Sequence, residues 1–141
     1  MSRILLLIIL SFAASAAAVF LKKLNTKNFT NSGWSVPGHI DRNDFEFSDA
    51  NWLAVIFSSD TCETCKPAVA ESMKLSTLGI AVQEIPVETK KHLHQKYDID
   101  AVPMLLLADE FGVVKLSHLG TVNFENAKES FESVLFDTPK S

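Results

Sequence analysis

The sequence predicts an α/β domain: a central mixed sheet of about four strands between flanking helices, preceded by an apolar N-terminal helix. Three observations carry that expectation. Two short runs, residues 52–58 (Trp-Leu-Ala-Val-Ile-Phe-Ser) and 104–108 (Met-Leu-Leu-Leu-Ala), are continuously apolar, the pattern of strands buried on both faces. Between and after them, segments of helical and strand-like patterning alternate. At 141 residues with 47% apolar side chains, the chain is long enough for one real core without disulfide staples.

The elements follow in order. After the first apolar run, Val69, Met73 and residues 75–78 recur at helical spacing from Cys62 onward, and Gly79 stops that helix. Residues 80–87 are strand-like, and Thr89 is placed to cap a helix reaching about Tyr97. Pro67 is awkward inside the first helix, because proline removes a backbone donor there. Either the helix begins near Lys66 or a bend follows. After the second apolar run, Asp109-Glu110-Phe111-Gly112 turns the chain into a strand over 113–119, which Gly120 ends. Asn123 then caps a last helix with Ala127, Phe131, Val134 and Leu135 on one face. The order β-α-β-α-β-β-α implies parallel pairing through crossovers, with one antiparallel hairpin at the end.

Ahead of the domain, residues 4–21 carry no charge and lie between Arg3 and the Lys22-Lys23 pair. Eighteen residues is the lower edge of what spans a hydrocarbon core of roughly 30 Å. The strongly apolar part ends near Phe12 and fades into an alanine-rich tail, so residues 1–23 fit a cleaved signal peptide or an uncleaved signal anchor. As an export signal this segment would put the domain outside the cytoplasm, membrane-anchored or secreted, although Lys22, Lys23 and Lys27 set against Arg3 do not favour the usual anchor direction. Residues 24–43 read as a polar, Asn/Thr/Ser-rich lead-in, with an N-glycosylation pattern at Asn28-Phe29-Thr30 and Trp34 near its end. The domain proper is set at residues 44–137.

Chemistry is concentrated in Cys62-Glu63-Thr64-Cys65, which holds the only two cysteines of the chain. A thiol at a helix N-terminus has its charged form stabilised by unpaired amides, and a cysteine one turn later can attack any mixed disulfide the first one makes. The pair reads as a redox dithiol, with a static disulfide as the duller alternative. Lys66 would stabilise a Cys62 thiolate, whereas Asp60 and Glu63 oppose it. A closed zinc site needs two further ligands, and His39, His92, His94 and His118 form no second pair at finger spacing, so no metal is expected. His92 and His94 read as solvent-facing, and Trp34 and Trp52 as packing residues. A net charge of −4 gives no broad cationic surface for nucleic acid.

An apolar strand, a CxxC opening the next helix and Pro103 at the head of the third strand together resemble the thioredoxin superfamily, over about residues 44–136. The resemblance implies that Cys62 is the attacking cysteine and Cys65 the resolving one. It further implies that Val102-Pro103 is a cis bond facing the dithiol, and that the Val102 backbone pairs with an extended substrate. No cofactor beyond the dithiol is implied. The expected partners are protein disulfides or dithiols and a membrane electron-relay protein, with the chain itself a monomer. The chain also departs from the family. Thr61 stands where the family has a tryptophan, and Glu63-Thr64 where it has Gly-Pro. Ile56 replaces a buried aspartate, and Glu84 replaces the lysine that partners it. An ordinary cytosolic thioredoxin is disfavoured. A specialised exported thiol–disulfide oxidoreductase fits better, with a non-catalytic binding module as the alternative.

Overall fold

A computed structural model describes residues 2–25 and 35–137. The glycosylation pattern and Trp34 lie outside the described residues. Helix α1 (Ser2–Asn25) comes first, and the apolar side chains of residues 4–9 and Phe12 along it are exposed. Among the described residues, no helix is long and apolar enough to cross a membrane, so the spanning reading of residues 4–21 gains no support from the structure.

The domain is a four-stranded mixed sheet in the order β2-β1-β3-β4, built from β1 (Leu53–Ser58), β2 (Ala81–Pro86), β3 (Met104–Ala108) and β4 (Val114–Leu119). Helix α2 (Cys65–Met73) continues as a 3-10 turn over Lys74–Leu78 and stops at Gly79, whose φ of 77° suits a residue without Cβ. Helices α3 (Val87–Lys96) and α4 (Phe124–Asp137) complete the fold.

Both apolar runs supply the central strands, β1 and β3, each buried at every strand position. Because side chains alternate along a strand, β1 feeds two cores. Leu53, Val55 and Phe57 face Ile40, Phe45, Leu93 and Tyr97 on one side. Ala54 and Ile56 face Ala68, Leu75 and Phe131 on the other. Trp52 packs edge-on against Phe131, with ring centroids 5.4 Å apart.

The sheet corrects the expected pairing. β1 and β2 are parallel, but β3 runs antiparallel to β1 as well as to β4. The reason lies in the connection between β2 and β3. Helix α3 starts directly after β2 and is only ten residues long, about 15 Å at 1.5 Å per residue. Residues 97–103 then return, and extended chain at roughly 3.3 Å per residue covers that length in a few residues. The chain therefore enters β3 at the same end of the sheet from which it left β2. Asp98 turns the corner with φ of 52°, a conformation aspartate tolerates better than most residues.

Three local expectations also change. Thr89 does not cap α3: the helix begins at Val87 behind Pro86, and its first turn is set off by non-helical angles at Lys90 (φ −127°, ψ 35°). His94 is buried rather than solvent-facing, because it joins Leu93 and Tyr97 on the inward side of α3. Its Nε2–H donates to the Ile85 carbonyl at 2.7 Å, and its ring stands edge-on to Phe57 at 5.0 Å. The folded unit also reaches further towards the N-terminus than residue 44. Ile40 is fully buried, and the Arg42 guanidinium, itself buried, donates to the carbonyls of Phe47, Ala50 and Asp109. Gly38, Ile40 and Val114 bond across to dock this lead-in on the β3–β4 turn.

Candidate functional site: a dithiol beside a cis proline

Cys62 and Cys65 form a disulfide just beyond the C-terminal end of β1. Cys65 is the first residue of α2, and Cys62 sits in the turn before it, with the Cys65 amide donating to the Cys62 carbonyl at 3.3 Å. This start point settles the position of Pro67. It falls in the first helical turn, where amides have no intrahelical acceptor, so its missing N–H costs nothing and the helix is not bent there. The first helical bond runs from the Ala68 amide to the Thr64 carbonyl at 3.3 Å.

The two sulfurs differ in access. Cys65 is 2% exposed, whereas Cys62 is only partly buried. The Thr64 hydroxyl lies 3.5 Å from Cys62 Sγ.

The antiparallel course of β3 brings Pro103 to this place. Phe57 and Met104 are register partners, so the residues before Met104 lie beside those after Phe57. The Val102–Pro103 peptide bond is cis, and the Val102 carbonyl oxygen lies 3.9 Å from Cys62 Sγ. Pro103 is fully buried, and its carbonyl accepts from the Gly120 amide at 2.9 Å, which ties the head of β3 to the end of β4. Dithiol and proline, about forty residues apart in the chain, thus form one site.

Asp60, Glu63 and Lys66 are all exposed. Ile56 is fully buried and is the register partner of Glu84, whose carboxylate accepts from the buried Ser58 hydroxyl at 2.6 Å. No ionisable side chain therefore occupies position 56 in the core.

Sequence reasoning missed Glu88. This carboxylate, in the first turn of α3, accepts from the Ser59 hydroxyl at 2.9 Å and from the Asp60 amide at 3.0 Å. Only its place directly after a strand, at the end of the sheet that carries the dithiol, hinted at it. Its own backbone amide and then those of Asp60 and the Ser59 hydroxyl hold its pKa below the ordinary 4.5.

A cavity of about 500 Å³ lies elsewhere, between α4 and the sheet, lined by Leu105, Leu107, Leu116, Val122 and Phe131. None of the dithiol or proline residues lines it. Among the described residues, no group of His, Cys, Asp and Glu is arranged to hold a metal ion.

No protein-family model matches the chain, and no curated protein does. Solved structures do. A mutant thioredoxin from Halobacterium salinarum is 25% identical, with a TM-score of 0.57 over 65% of this chain and 81% of that one. Fasciola hepatica thioredoxin is 16% identical, with a TM-score of 0.52 over 61% and 83%. Thioredoxin-2, described as a component of malaria parasite protein secretion machinery, is 14% identical, with a TM-score of 0.54 over 59% and 82%. The chain has a thioredoxin-like fold, and that fold together with the close Cys62–Cys65 pair points, at the general level, to thiol–disulfide oxidoreductase chemistry.

Proposed function

We propose that this protein exchanges disulfides with exported protein substrates, as a reductant or isomerase. The observation that carries the reading is the unequal access of the two sulfurs beside the Val102 carbonyl. A Cys62 thiolate attacks one sulfur of a substrate disulfide, and the other substrate sulfur leaves as thiolate and takes up a proton. Cys65 loses its proton and attacks Cys62 Sγ, releasing the second substrate thiolate and closing the Cys62–Cys65 disulfide. The substrate gains two electrons and the dithiol loses two, which a dithiol donor at the membrane restores. The backbone around Val102 binds the extended substrate segment.

Residues 1–23 direct export as a signal peptide or anchor, by their apolar run and alanine-rich tail. Asp60 and Glu63, in sequence beside Cys62, disfavour its thiolate, while Lys66 favours it. A less stabilised thiolate makes the couple more reducing, so the reading is a reductant or isomerase and not a strong oxidant.

The test is a C65S variant expressed in the native host. The expected result is a set of mixed disulfides on Cys62 that C62S/C65S abolishes, together with insulin-disulfide reduction by the wild type. Cysteines that resist alkylation in the native reduced protein, with no trapped client, would replace this reading with a binding module that does not turn over. A potential more oxidising than about −180 mV would overturn the assignment as reductant or isomerase.

A further inference from the structure

The segment that presents Cys62 is held from outside its own element. The Cys62 amide donates to the Ser59 carbonyl at 3.1 Å, so the place of Cys62 follows the place of Ser59. The Ser59 hydroxyl also meets the Thr61 amide at 3.3 Å and the Thr61 hydroxyl at 3.0 Å. That knot alone is local and could move as a unit. Its two bonds to a distant element both end on one oxygen, Oε1 of Glu88. Glu88 lies in the first turn of α3, ahead of the break at Lys90.

We propose that Glu88 is a positioning residue for the dithiol. Resting on the exchange function above, it fixes the Ser59–Asp60 backbone so that Cys62 Sγ is held beside the Val102 carbonyl, where an extended substrate would bring its disulfide. The role needs an acceptor oxygen at this point. A glutamine supplies one, and an alanine does not. Charge-assisted hydrogen bonds are worth more than neutral ones, so Gln retains part of the effect rather than all of it.

The test uses the full chain as wild type, E88Q, E88A, S59A and E88A/S59A. Two quantities are read: kcat/KM for reduction of a disulfide-bonded peptide, and the urea midpoint of the oxidised protein. E88A is expected to lose about tenfold in kcat/KM, the scale of one hydrogen bond to a charged group, with E88Q losing about threefold or less. S59A is expected to lose part of the rate, and E88A/S59A less than the two single losses combined, because the Ser59 hydroxyl is one of the two donors to Glu88. An active wild type matched by E88A overturns the proposal and leaves the exchange reading standing. So does an E88Q as slow as E88A, which would assign the effect to charge, or a rate loss that merely follows the urea midpoint. A wild type with an inert Cys62 ends both.

Discussion

Replacing Gly112 and Gly79 by alanine compares two residues of nearly the same backbone conformation in different surroundings. Gly79 has φ of 77° with nothing within 4 Å of an added Cβ. Gly112 has φ of 83°, but a Cβ there would stand 2.0 Å from the Ile40 carbonyl oxygen and 3.2 Å from His39 Nε2. G79A therefore bears only the left-handed penalty, about 1 kcal/mol. G112A bears the same penalty and a collision with backbone, which no side-chain rotation relieves. The docked lead-in must lift. Lifting it strains or breaks the bonds from the Ile40 amide to the Gly112 carbonyl (2.8 Å), from the Val114 amide to the Gly38 carbonyl (3.0 Å) and from His39 Nε2–H to the Phe111 carbonyl (2.9 Å). Losing two of them costs about 2 kcal/mol, and partial exposure of the fully buried Ile40 adds about 1 kcal/mol. G112A is thus expected to cost about 4 kcal/mol against about 1 kcal/mol for G79A. Urea unfolding of the two variants, with m-values checked against wild type, measures both. Equal losses, within about 0.5 kcal/mol, would refute the claim that the lead-in is part of the folded unit.

Three further outcomes are expected. Burial raises the Asp44 pKa, but hydrogen bonds from Lys96 and Tyr97 outweigh it and leave the pKa below the ordinary 3.8; the Lys74 ammonium and the Phe124 amide lower that of Glu71 from 4.5. Groups depressed in the folded state stabilise it above their unfolded pKa, so the urea midpoint should fall as pH drops below about 4, and D44N should flatten that fall. Burial, then the hydrogen bond to Asp44, pushes the Tyr97 hydroxyl up from 10.0; that stability is complete below pH 10.0 and is lost above it, so alkaline unfolding should begin there in wild type and shift upward in Y97F. Reduction of the disulfide should lower stability by no more than about 2 kcal/mol, read from urea curves with and without dithiothreitol.

Much of this fold is legible in the sequence because strand burial and helix ends leave strong local marks. The continuous apolar runs 52–58 and 104–108 mark central strands, Gly79 and Gly120 mark ends, and Asn123 does cap α4 through its side chain and carbonyl. The direction of β3 is not legible, since it depends on where a kinked ten-residue helix and its return segment deliver the chain, and no local pattern records that. Buried polar residues are the other blind spot. His94 and Arg42 look like surface residues until the carbonyls that receive them, on Ile85, Phe47, Ala50 and Asp109, are placed in space. Glu88 is hidden for the same reason: its partners lie 28 and 29 residues away. Cys62 and Cys65 could be picked out because their chemistry lies in residue type and spacing, whereas the cis bond at Pro103 is implied only by the family resemblance.

Loop length bears on whether the cysteine pair is a staple or a reagent. A cross-link spanning three positions restrains very little unfolded chain: the loop-entropy relation gives about 2 kcal/mol for a loop of four residues, against about 4.7 kcal/mol for one of a hundred. The domain does not depend on so small a term, since two apolar clusters on opposite faces of β1 already take up five of its six residues. A staple is also best hidden from exchange, and here one sulfur is not. Cys65, at 2% exposure, is less accessible than the partly buried Cys62, which supports the proposal that exchange with another molecule begins at Cys62. On that reading, Cys65, three positions on, is placed to attack the mixed disulfide formed at Cys62. Weak restraint, unequal access and short separation together are poorly suited to a structural bridge and well suited to a couple that opens and closes.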